Sequence, residues 1–179
     1  CPKIVAPAMN TAMYENPVTQ DNLRCLKQYG VRIAEPASGR LACGDTGAGK
    51  MLEPEELYRY VEREIARSKD LAGRKVLVTA GATREAVDPV RFIANHSTGK
   101  MGFALARECM LRGAEVTLVR GFTTGEPPMF VEDIETESAA DMFDAVVSRA
   151  DEQDIIIKAA AVADYTPCQV SDQKVKKKD

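Results

Sequence analysis

Short apolar runs alternate with stretches of helical periodicity over the second half of the chain. Strand-like runs lie at residues 75–80, 115–119, 130–135 and 154–160, of which the run at 130–135 is the least apolar, and helical patterns lie at residues 99–112 and 138–150. Alternation of this kind predicts βαβ units, and therefore an α/β fold in which a doubly wound parallel sheet has helices on its faces. In such sheets ligands bind at the carboxyl ends of the strands.

The first half is predicted to form a separate and smaller unit. Its predicted elements are a strand, a helix, a short strand, a loop rich in Gly and Ala, and an amphipathic helix, at residues 4–6, 17–29, 31–34, 36–50 and 54–67. A polar joint at residues 68–73 follows the last helix. We therefore expect one domain at residues 1–70 and a second at residues 71–179.

Composition narrows the class of partner. The chain has 179 residues, of which 45% are hydrophobic, and a formal net charge of −3, which is ordinary for a globular protein and disfavours non-specific nucleic-acid binding. Its apolar runs are too short to span a bilayer. The five cysteines are odd in number and scattered, so reduced thiols in the cytoplasm are expected rather than disulfides or a zinc site.

The stretch at residues 81–102 is the most informative part of the chain. It follows an apolar strand pattern, is rich in Gly and polar residues, and leads into a helix, an arrangement that presents backbone N–H groups to phosphates. Arg84, Arg91 and Lys100 add positive charge, which suits a triphosphate or a phosphorylated substrate. Neither G-x-G-x-x-G nor a complete P-loop motif is present. A plain surface loop is the alternative.

Four segments, in order along the chain, together resemble one family. They are Pro7-Ala8-Met9-Asn10, Ala42-Cys43-Gly44-Asp45, residues 81–102 with the sequence GATREAVDPVRFIANHSTGKMG, and residues 160–165 with the sequence AAVADY. The last two resemble phosphopantothenate–cysteine ligase, and the first two resemble the flavin-dependent phosphopantothenoylcysteine decarboxylase that precedes it in bifunctional coenzyme A biosynthesis proteins. The resemblance implies an internal fragment: the C-terminal part of a flavodoxin-like flavoprotein domain, followed by the first part of a Rossmann-like ligase domain.

The resemblance implies a ligase that uses CTP and Mg²⁺. CTP would activate the carboxylate of 4′-phosphopantothenate as an acyl-cytidylate, which the amine of cysteine then attacks. Asn95 matches the family asparagine at the acyl-cytidylate, Asp164 the aspartate beside the cytidine nucleotide, and Lys174 the first lysine of a K-x-K-K motif on a mobile loop. Further nucleotide contacts are expected at Gly81, Arg84, Lys100 and Ala160, and no Mg²⁺ ligand is assigned. From the residues alone, without the resemblance, Asn95 is interpreted as a turn residue and Lys174 as part of a solvated tail.

The resemblance also implies an FMN-dependent decarboxylase in the first unit. Asn10 matches the asparagine that contacts the substrate carboxylate beside the flavin, and Met9 is expected to pack against substrate or flavin. Cys43 matches the cysteine of a substrate flap, which would protonate or reduce the intermediate, although a lone cysteine is more commonly a small buried hydrophobe. The family's histidine base lies upstream of the first motif, whereas His96 lies in the ligase loop. Decarboxylation by this chain alone is therefore not expected, and the parent protein is expected to be a homo-oligomer.

Two alternatives come from other functional classes. An NAD(P)-dependent Rossmann oxidoreductase would have a tight Gly-rich first turn and an acidic residue after its second strand. Here the first turn is long, and Arg120-Gly121 occupies the second position. A non-catalytic nucleotide-binding module is the other alternative.

Overall fold

The structure is a computed structural model and describes residues 1–41 and 44–176. The chain divides into two compact units, Cys1–Arg67 and Ser68–Asp179. The elements of the first unit are β1 (Ile4–Val5), α1 (Thr11–Tyr14), α2 (Pro17–Gln28), β2 (Arg32–Ile33), β3 (Ala37–Arg40), β4 (Thr46–Lys50) and α3 (Pro54–Ile65).

The first unit contains one parallel strand pair and one hairpin. Strands β1 and β2 are parallel, and a small core of Leu23, Val31 and Ile33 lies against helix α2. Strands β3 and β4 form an antiparallel hairpin where the sequence predicted a loop. Gly and Ala have low strand propensity, so residue propensities do not predict the hairpin. It is visible only in the hydrogen bonds between the two strands.

Helix α3 forms as predicted, but its apolar face is not covered within the first unit. Glu53 and Glu56 form a capping box at its start. Val61 and Ile65, which define the apolar periodicity, are 41% and 69% exposed. The 3.6-residue period therefore identified the helix correctly and did not report how deeply its apolar face is buried.

The second unit is built around a four-stranded parallel sheet. Its elements are β5 (Lys75–Ala80), β6 (Arg84–Ala86), β7 (Phe92–Ala94), α4 (Lys100–Leu111), β8 (Glu115–Arg120), β9 (Glu132–Glu135), α5 (Ala139–Ala150) and β10 (Ile155–Lys158). The sheet has the strand order β10-β5-β8-β9, and all of its pairs are parallel. The predicted α/β class, with a parallel sheet flanked by helices, is confirmed.

Burial explains why the sheet forms around β5. Val76, Leu77 and Val78 are fully buried, because β5 has neighbouring strands on both sides and helices over its faces. One core cluster joins Leu77 of β5 and Val119 of β8 to Met142 of α5. The sheet and its helices are thus held together mainly by apolar burial.

The strand order reverses beside β5. The chain passes from β5 to β8 and β9 on one side and returns to β10 on the other. The sequence predicted β10 as a central strand, but it lies at the end of the described sheet, and its Ile155 and Ile156 are each 39% exposed. An apolar run cannot distinguish an edge strand from a central one, since both pack a face against the core.

The predicted phosphate loop contains a second hairpin. Strands β6 and β7 pair antiparallel, with Arg84 opposite Ala94 and Ala86 opposite Phe92. The connection between them, residues 87–91, holds the sequence VDPVR. The hairpin therefore occupies the carboxyl end of β5, where an α/β sheet binds its ligands.

Candidate functional site

Two buried threonines tie the loop after β10 to strand β5 and its exit. The Thr79 hydroxyl accepts hydrogen bonds from the backbone N–H groups of Ala159 and Ala160, at 3.1 and 3.2 Å. The Thr83 hydroxyl accepts from the N–H of Ala163 at 2.9 Å, and Thr83 is fully buried. These bonds fix the backbone that leads to Asp164.

The glycine that follows β5 adds a backbone connection at the same place. The Gly81 carbonyl accepts from the N–H of Ala161 at 2.7 Å. Gly81 has φ of +75°, and a Cβ at this position would collide with the carbonyl of Phe122. Gly81 is therefore required by both conformation and space, which is how a glycine lets a loop approach closely at a strand exit.

A cleft of about 760 Å³ opens at this edge of the sheet. The start of α4, the hairpin β6–β7 and the loop after β8 surround it. Its polar and aromatic lining includes Arg84, Phe92, Asn95, Ser97, Thr98, Lys100 and Phe122. The cleft therefore combines cationic, hydroxyl, amide and aromatic groups at the carboxyl ends of the strands.

The start of helix α4 faces this cleft without a side-chain cap. Its N-cap residue is Gly99, which has no side chain to accept from the first turn of the helix. The first N–H groups of a helix have no partner within the helix, and the helix dipole adds partial positive charge there. With Lys100 as the first helical residue, this end of α4 suits an anion such as phosphate.

Arg84 is held between two aromatic rings. Its guanidinium carbon lies 3.6 Å from the ring centroid of Phe122 and 4.5 Å from that of Phe92. Stacking of this kind fixes the plane of the guanidinium and leaves its N–H edge available. Arg84 also borders a second cleft of about 730 Å³, whose lining includes Glu135, Glu137, Asp141 and Asp144. The acidic lining of that cleft makes the first one the better place for an anion.

Asn95 follows directly after β7 and lines the cleft. Its side-chain nitrogen, Nδ2, donates to the carbonyl of Val162 at 2.9 Å. This bond joins the hairpin to the loop after β10, which also carries Asp164. A side-chain amide has two N–H donors, so one remains for a ligand.

Asp88, at the turn of the hairpin, is a buried carboxylate. Its side chain is 0% exposed and pairs with Arg91. Asp88 Oδ2 also accepts from the N–H of Val175, at 3.0 Å. The Arg91 hydrogen bonds, with further ones from backbone N–H groups, hold the pKa of the Asp88 carboxyl far below its usual value despite burial, which would raise it.

The predicted ligase residues fall into three groups. Arg84, Asn95 and Lys100 line the cleft. Gly81, Ala160 and Asp164 lie in the loops after β5 and β10 and are not part of the lining. Lys174 lies outside the lining as well, beside the residue that Asp88 holds. Sequence reasoning missed Phe92, Phe122 and the buried role of Asp88, and the only signal for the last was an Asp-Pro turn with Arg three residues after the Asp.

Two predicted decarboxylase residues, Met9 and Asn10, lie at the start of α1. The side chain of Asn10 caps α1 by accepting from the N–H of Ala12 at 2.8 Å, and its Nδ2 donates to Asp45 Oδ2 at 3.3 Å. The N–H of Met9 donates to the carbonyl of Gly49 at 3.0 Å. The hairpin β3–β4 thus contacts the Met9-Asn10 turn, and Cys43 lies outside the described residues.

Residues 1–41 and 44–176 contain neither a cluster of metal ligands nor a membrane-spanning helix. No group of three or more His, Cys, Asp or Glu side chains is placed to hold a metal ion within those residues. Over the same part of the chain, no helix combines the length and apolarity needed to cross a membrane. Arg120, at the end of β8, is paired with Asp133 and Glu135.

A parallel sheet whose strand order reverses at a polar cleft places the second unit in the Rossmann-like α/β class. Within that class, the chain belongs to the DNA/pantothenate metabolism flavoprotein family. Residues 71–179 match the C-terminal domain of that family, and residues 1–66 match the Flavoprotein family. The resemblance inferred from the four sequence motifs is confirmed.

Relatives of known name agree with this assignment. The chain is 49% identical over 178 residues to the coenzyme A biosynthesis bifunctional protein CoaBC of Vibrio vulnificus strain YJ016. The match covers 99% of this chain and 44% of that protein. It is 48% identical over 181 residues to CoaBC of Bacillus subtilis strain 168, covering 99% and 45%. The chain thus spans less than half the length of these relatives.

Two solved structures resemble part of the chain. A crystal structure of the C-terminal domain of CoaBC matches with a TM-score of 0.54 and 51% identity, over 56% of this chain and 50% of that one. The DNA/pantothenate metabolism flavoprotein of Streptococcus pneumoniae matches with a TM-score of 0.51 and 34% identity, over 53% and 42%.

Proposed function

We propose that the second unit contributes to the CTP-dependent ligation of 4′-phosphopantothenate to cysteine in coenzyme A biosynthesis. The observation that carries the proposal is the cleft in which the uncapped start of α4, Lys100, Arg84 and Asn95 converge. The high identity to coenzyme A biosynthesis bifunctional proteins supports the same activity.

Different groups in the cleft would carry out different parts of the activation of a carboxylate by CTP. The N–H groups at the start of α4 and the charge of Lys100 would hold the phosphates of CTP. Mg²⁺ would be held largely by those phosphates and by water, as is common for this ion. The free N–H of Asn95 would donate to the acyl oxygen, on which negative charge develops as cysteine attacks.

The surrounding loops would supply the remaining contacts. Gly81 and Ala160 would approach the nucleotide through their backbones, since a strand exit without a bulky side chain permits close contact. Asp164 would accept from the ribose hydroxyls. Lys174 would act as a point charge that closes over the phosphates or the intermediate.

For the first unit we propose a part in FMN-dependent decarboxylation of the ligation product. Its described residues fit the substrate side of such a site, because the Asn10 amide stands at a fixed helix start beside Asp45. FMN, when bound, would supply the two-electron oxidation that precedes loss of CO₂. Asn10 would orient the substrate carboxylate, Met9 would pack against substrate or flavin, and Cys43 would act on the intermediate.

A quench assay on the full-length protein tests the ligase proposal. Pyrophosphate release and formation of the cysteine adduct are followed separately. By analogy with loss of one oxyanion-hole donor, Asn95→Asp should slow adduct formation by roughly 10²–10³-fold and still release pyrophosphate. Lys174→Gln should impair capture of the intermediate. If Asn95→Asp abolishes CTP binding outright, the role proposed for Asn95 is wrong.

Matched controls make the same chemical changes elsewhere. Asn22→Asp and Lys3→Gln alter exposed residues of the first unit and should leave both steps unchanged. In a calorimetric titration, CTP should bind more tightly than ATP and should need Mg²⁺. Equal or tighter binding of ATP would overturn the choice of nucleotide. We further propose that the full-length protein is cytoplasmic and forms a homo-oligomer. Analytical ultracentrifugation can measure its oligomeric state.

A further inference from the structure

The turn of the hairpin β6–β7 contains a carboxylate with two separate sets of partners. Asp88 Oδ1 accepts from the N–H groups of Val90 and Arg91, both at 2.9 Å, and so closes the turn. Oδ2 accepts from Arg91 Nε at 2.9 Å and from the N–H of Val175 at 3.0 Å. One oxygen therefore builds the turn, and the other reaches a segment 87 positions further along the chain.

The hairpin holds that segment at more than one point. Arg91 Nη2 donates to the carbonyl of Val175 at 2.8 Å, so both polar groups of the Val175 peptide are engaged. The N–H of Ser171 donates to the carbonyl of Val87 at 3.1 Å. The hairpin therefore holds the segment both before Lys174, at Ser171, and after it, at Val175. Lys174 itself is exposed.

The other strand of the same hairpin leads to Asn95. Asn95 comes directly after β7, and its amide is bonded to Val162 in the loop after β10. One short antiparallel element thus fixes Asn95 at one end and the Lys174 segment at the other. A displacement of the turn would change the position of Lys174 relative to Asn95 without changing either side chain.

We propose that Asp88 is a positioning residue, which holds the Lys174 segment in register with Asn95 through the peptide of Val175. The inference rests on the proposed ligase function, because it assigns Lys174 its role in that reaction. A carboxylate is suited to the task, since charge-assisted hydrogen bonds are shorter and stronger than neutral ones. Because the carboxylate is buried and paired, it can hold the segment in a single position.

Asp88→Asn separates the two tasks of the carboxylate. An amide keeps one oxygen, which can still accept from Val90 and Arg91 and preserve the turn. Its NH₂ group replaces Oδ2 and faces two donors, the Val175 N–H and the Arg91 guanidinium, so the hydrogen bond from Val175 N–H is lost and the segment is held less firmly. Val175→Pro removes the same N–H from the opposite side and leaves Asp88 intact, which provides a second variant if the first fails to fold.

The experiment combines hydrogen exchange with kinetics on the full-length protein. In Asp88→Asn, exchange at the amides of residues 171–176 should rise by about 10- to 100-fold, the factor that corresponds to loss of a hydrogen bond to a charged group. Turnover at saturating substrate should fall by a similar factor while CTP affinity changes less than about twofold, since the groups at α4 are untouched. Asp172→Asn, an exposed change in the same segment, is the control.

A double-mutant cycle distinguishes positioning from general damage. If Asp88 acts through Lys174, then adding Asp88→Asn to Lys174→Gln should cost little beyond the single change. Additive losses, unchanged exchange at residues 171–176, or an equal loss in Asp172→Asn would overturn the inference. A fully active Lys174→Gln enzyme would instead refute the role of Lys174 in the proposed function. If Lys174→Gln is impaired but Asp88→Asn is fully active, only the inference about Asp88 is refuted.

Discussion

Gly102 lies where helix α4 comes closest to strand β5. A Cβ at this position would collide with the Cβ of Ala80 and would lie 3.0 Å from the carbonyl oxygen of Thr79, which is backbone and cannot move aside. Gly102→Ala should therefore lower the free energy of unfolding by about 1–3 kcal/mol, the usual cost of overpacking a core. Chemical denaturation of the purified protein measures this difference.

Gly125→Ala is the matched control for that prediction. A Cβ at Gly125 would meet only the Phe103 ring, at 3.9 Å, which is ordinary van der Waals contact. The control should be neutral within about 0.5 kcal/mol. If both variants lose the same stability, the close approach of α4 to β5 is not what Gly102 provides.

Single residues show where sequence reasoning reaches its limit. Arg120, at the end of the second strand of the sheet, was predicted to disfavour NAD, and the structure adds that Asp133 and Glu135 hold it. Pairing with Asp133 raises the pKa of Arg120, so its charge is fixed. The role of Asp88 could not be predicted from the sequence, because its decisive partner, Val175, lies 87 positions away and has no side-chain chemistry to signal the contact.

Helix α5 depends on the box at its start. The Ser138 hydroxyl accepts from the N–H of Asp141 at 3.1 Å, and the Asp141 carboxylate accepts from the N–H of Ser138 at 2.9 Å. Ser138→Ala removes one of these bonds and should lower the free energy of unfolding by about 1 kcal/mol, a typical value for an N-cap. Thermal unfolding followed by circular dichroism gives the change.

The same substitution at Ser148 provides the comparison for α5. Ser148 is exposed within the same helix, and its hydroxyl donates back to the carbonyl of Ala145 at 3.4 Å. Because Ala is the better helix former in a helix interior, Ser148→Ala should be neutral or slightly stabilising. Equal losses in the two variants would show that the capping bonds add nothing to the stability of α5.

At the level of elements, periodicity predicted the sheet and its helices better than the hairpins. The strand at residues 75–80 was predicted with the observed bounds, and α4 and α5 were each predicted to within one residue at their ends. Both hairpins were predicted as loops. Strand β6 is only three residues long, and its Arg84 contacts the ring of Phe122, which is distant in sequence, a contact that no local pattern reveals.

At the scale of the whole molecule, the joint that follows the first unit is bonded to the end of helix α4. Lys69 Nζ donates to the carbonyl of Leu111 at 2.6 Å, and the N–H of Leu71 donates to the carbonyl of Arg112 at 3.0 Å. We therefore propose that the boundary lies before Ser68, three residues earlier than the sequence suggested. Trypsin should then cleave after Lys69 about tenfold more slowly in the native protein than in urea, because cutting there first requires these bonds to open.

Mass spectrometry of the fragments over time measures the rate of cleavage after Lys69 with and without urea. Equal rates under the two conditions would place the boundary within the joint itself, at residues 68–70.

The long sequence separation of the bonded residues around the cleft also determines when the cleft can form during protein synthesis. Thr79 and Ala159 are 80 positions apart, and Asp88 and Val175 are 87 apart. At a synthesis rate of roughly 5–20 residues per second, the loop after β5 is synthesised about 4–17 s before its partners. During that interval, its aromatic side chains and backbone polar groups lack the partners that they have in the folded protein. A pause in translation between these segments would therefore lengthen the time in which the nascent chain can aggregate.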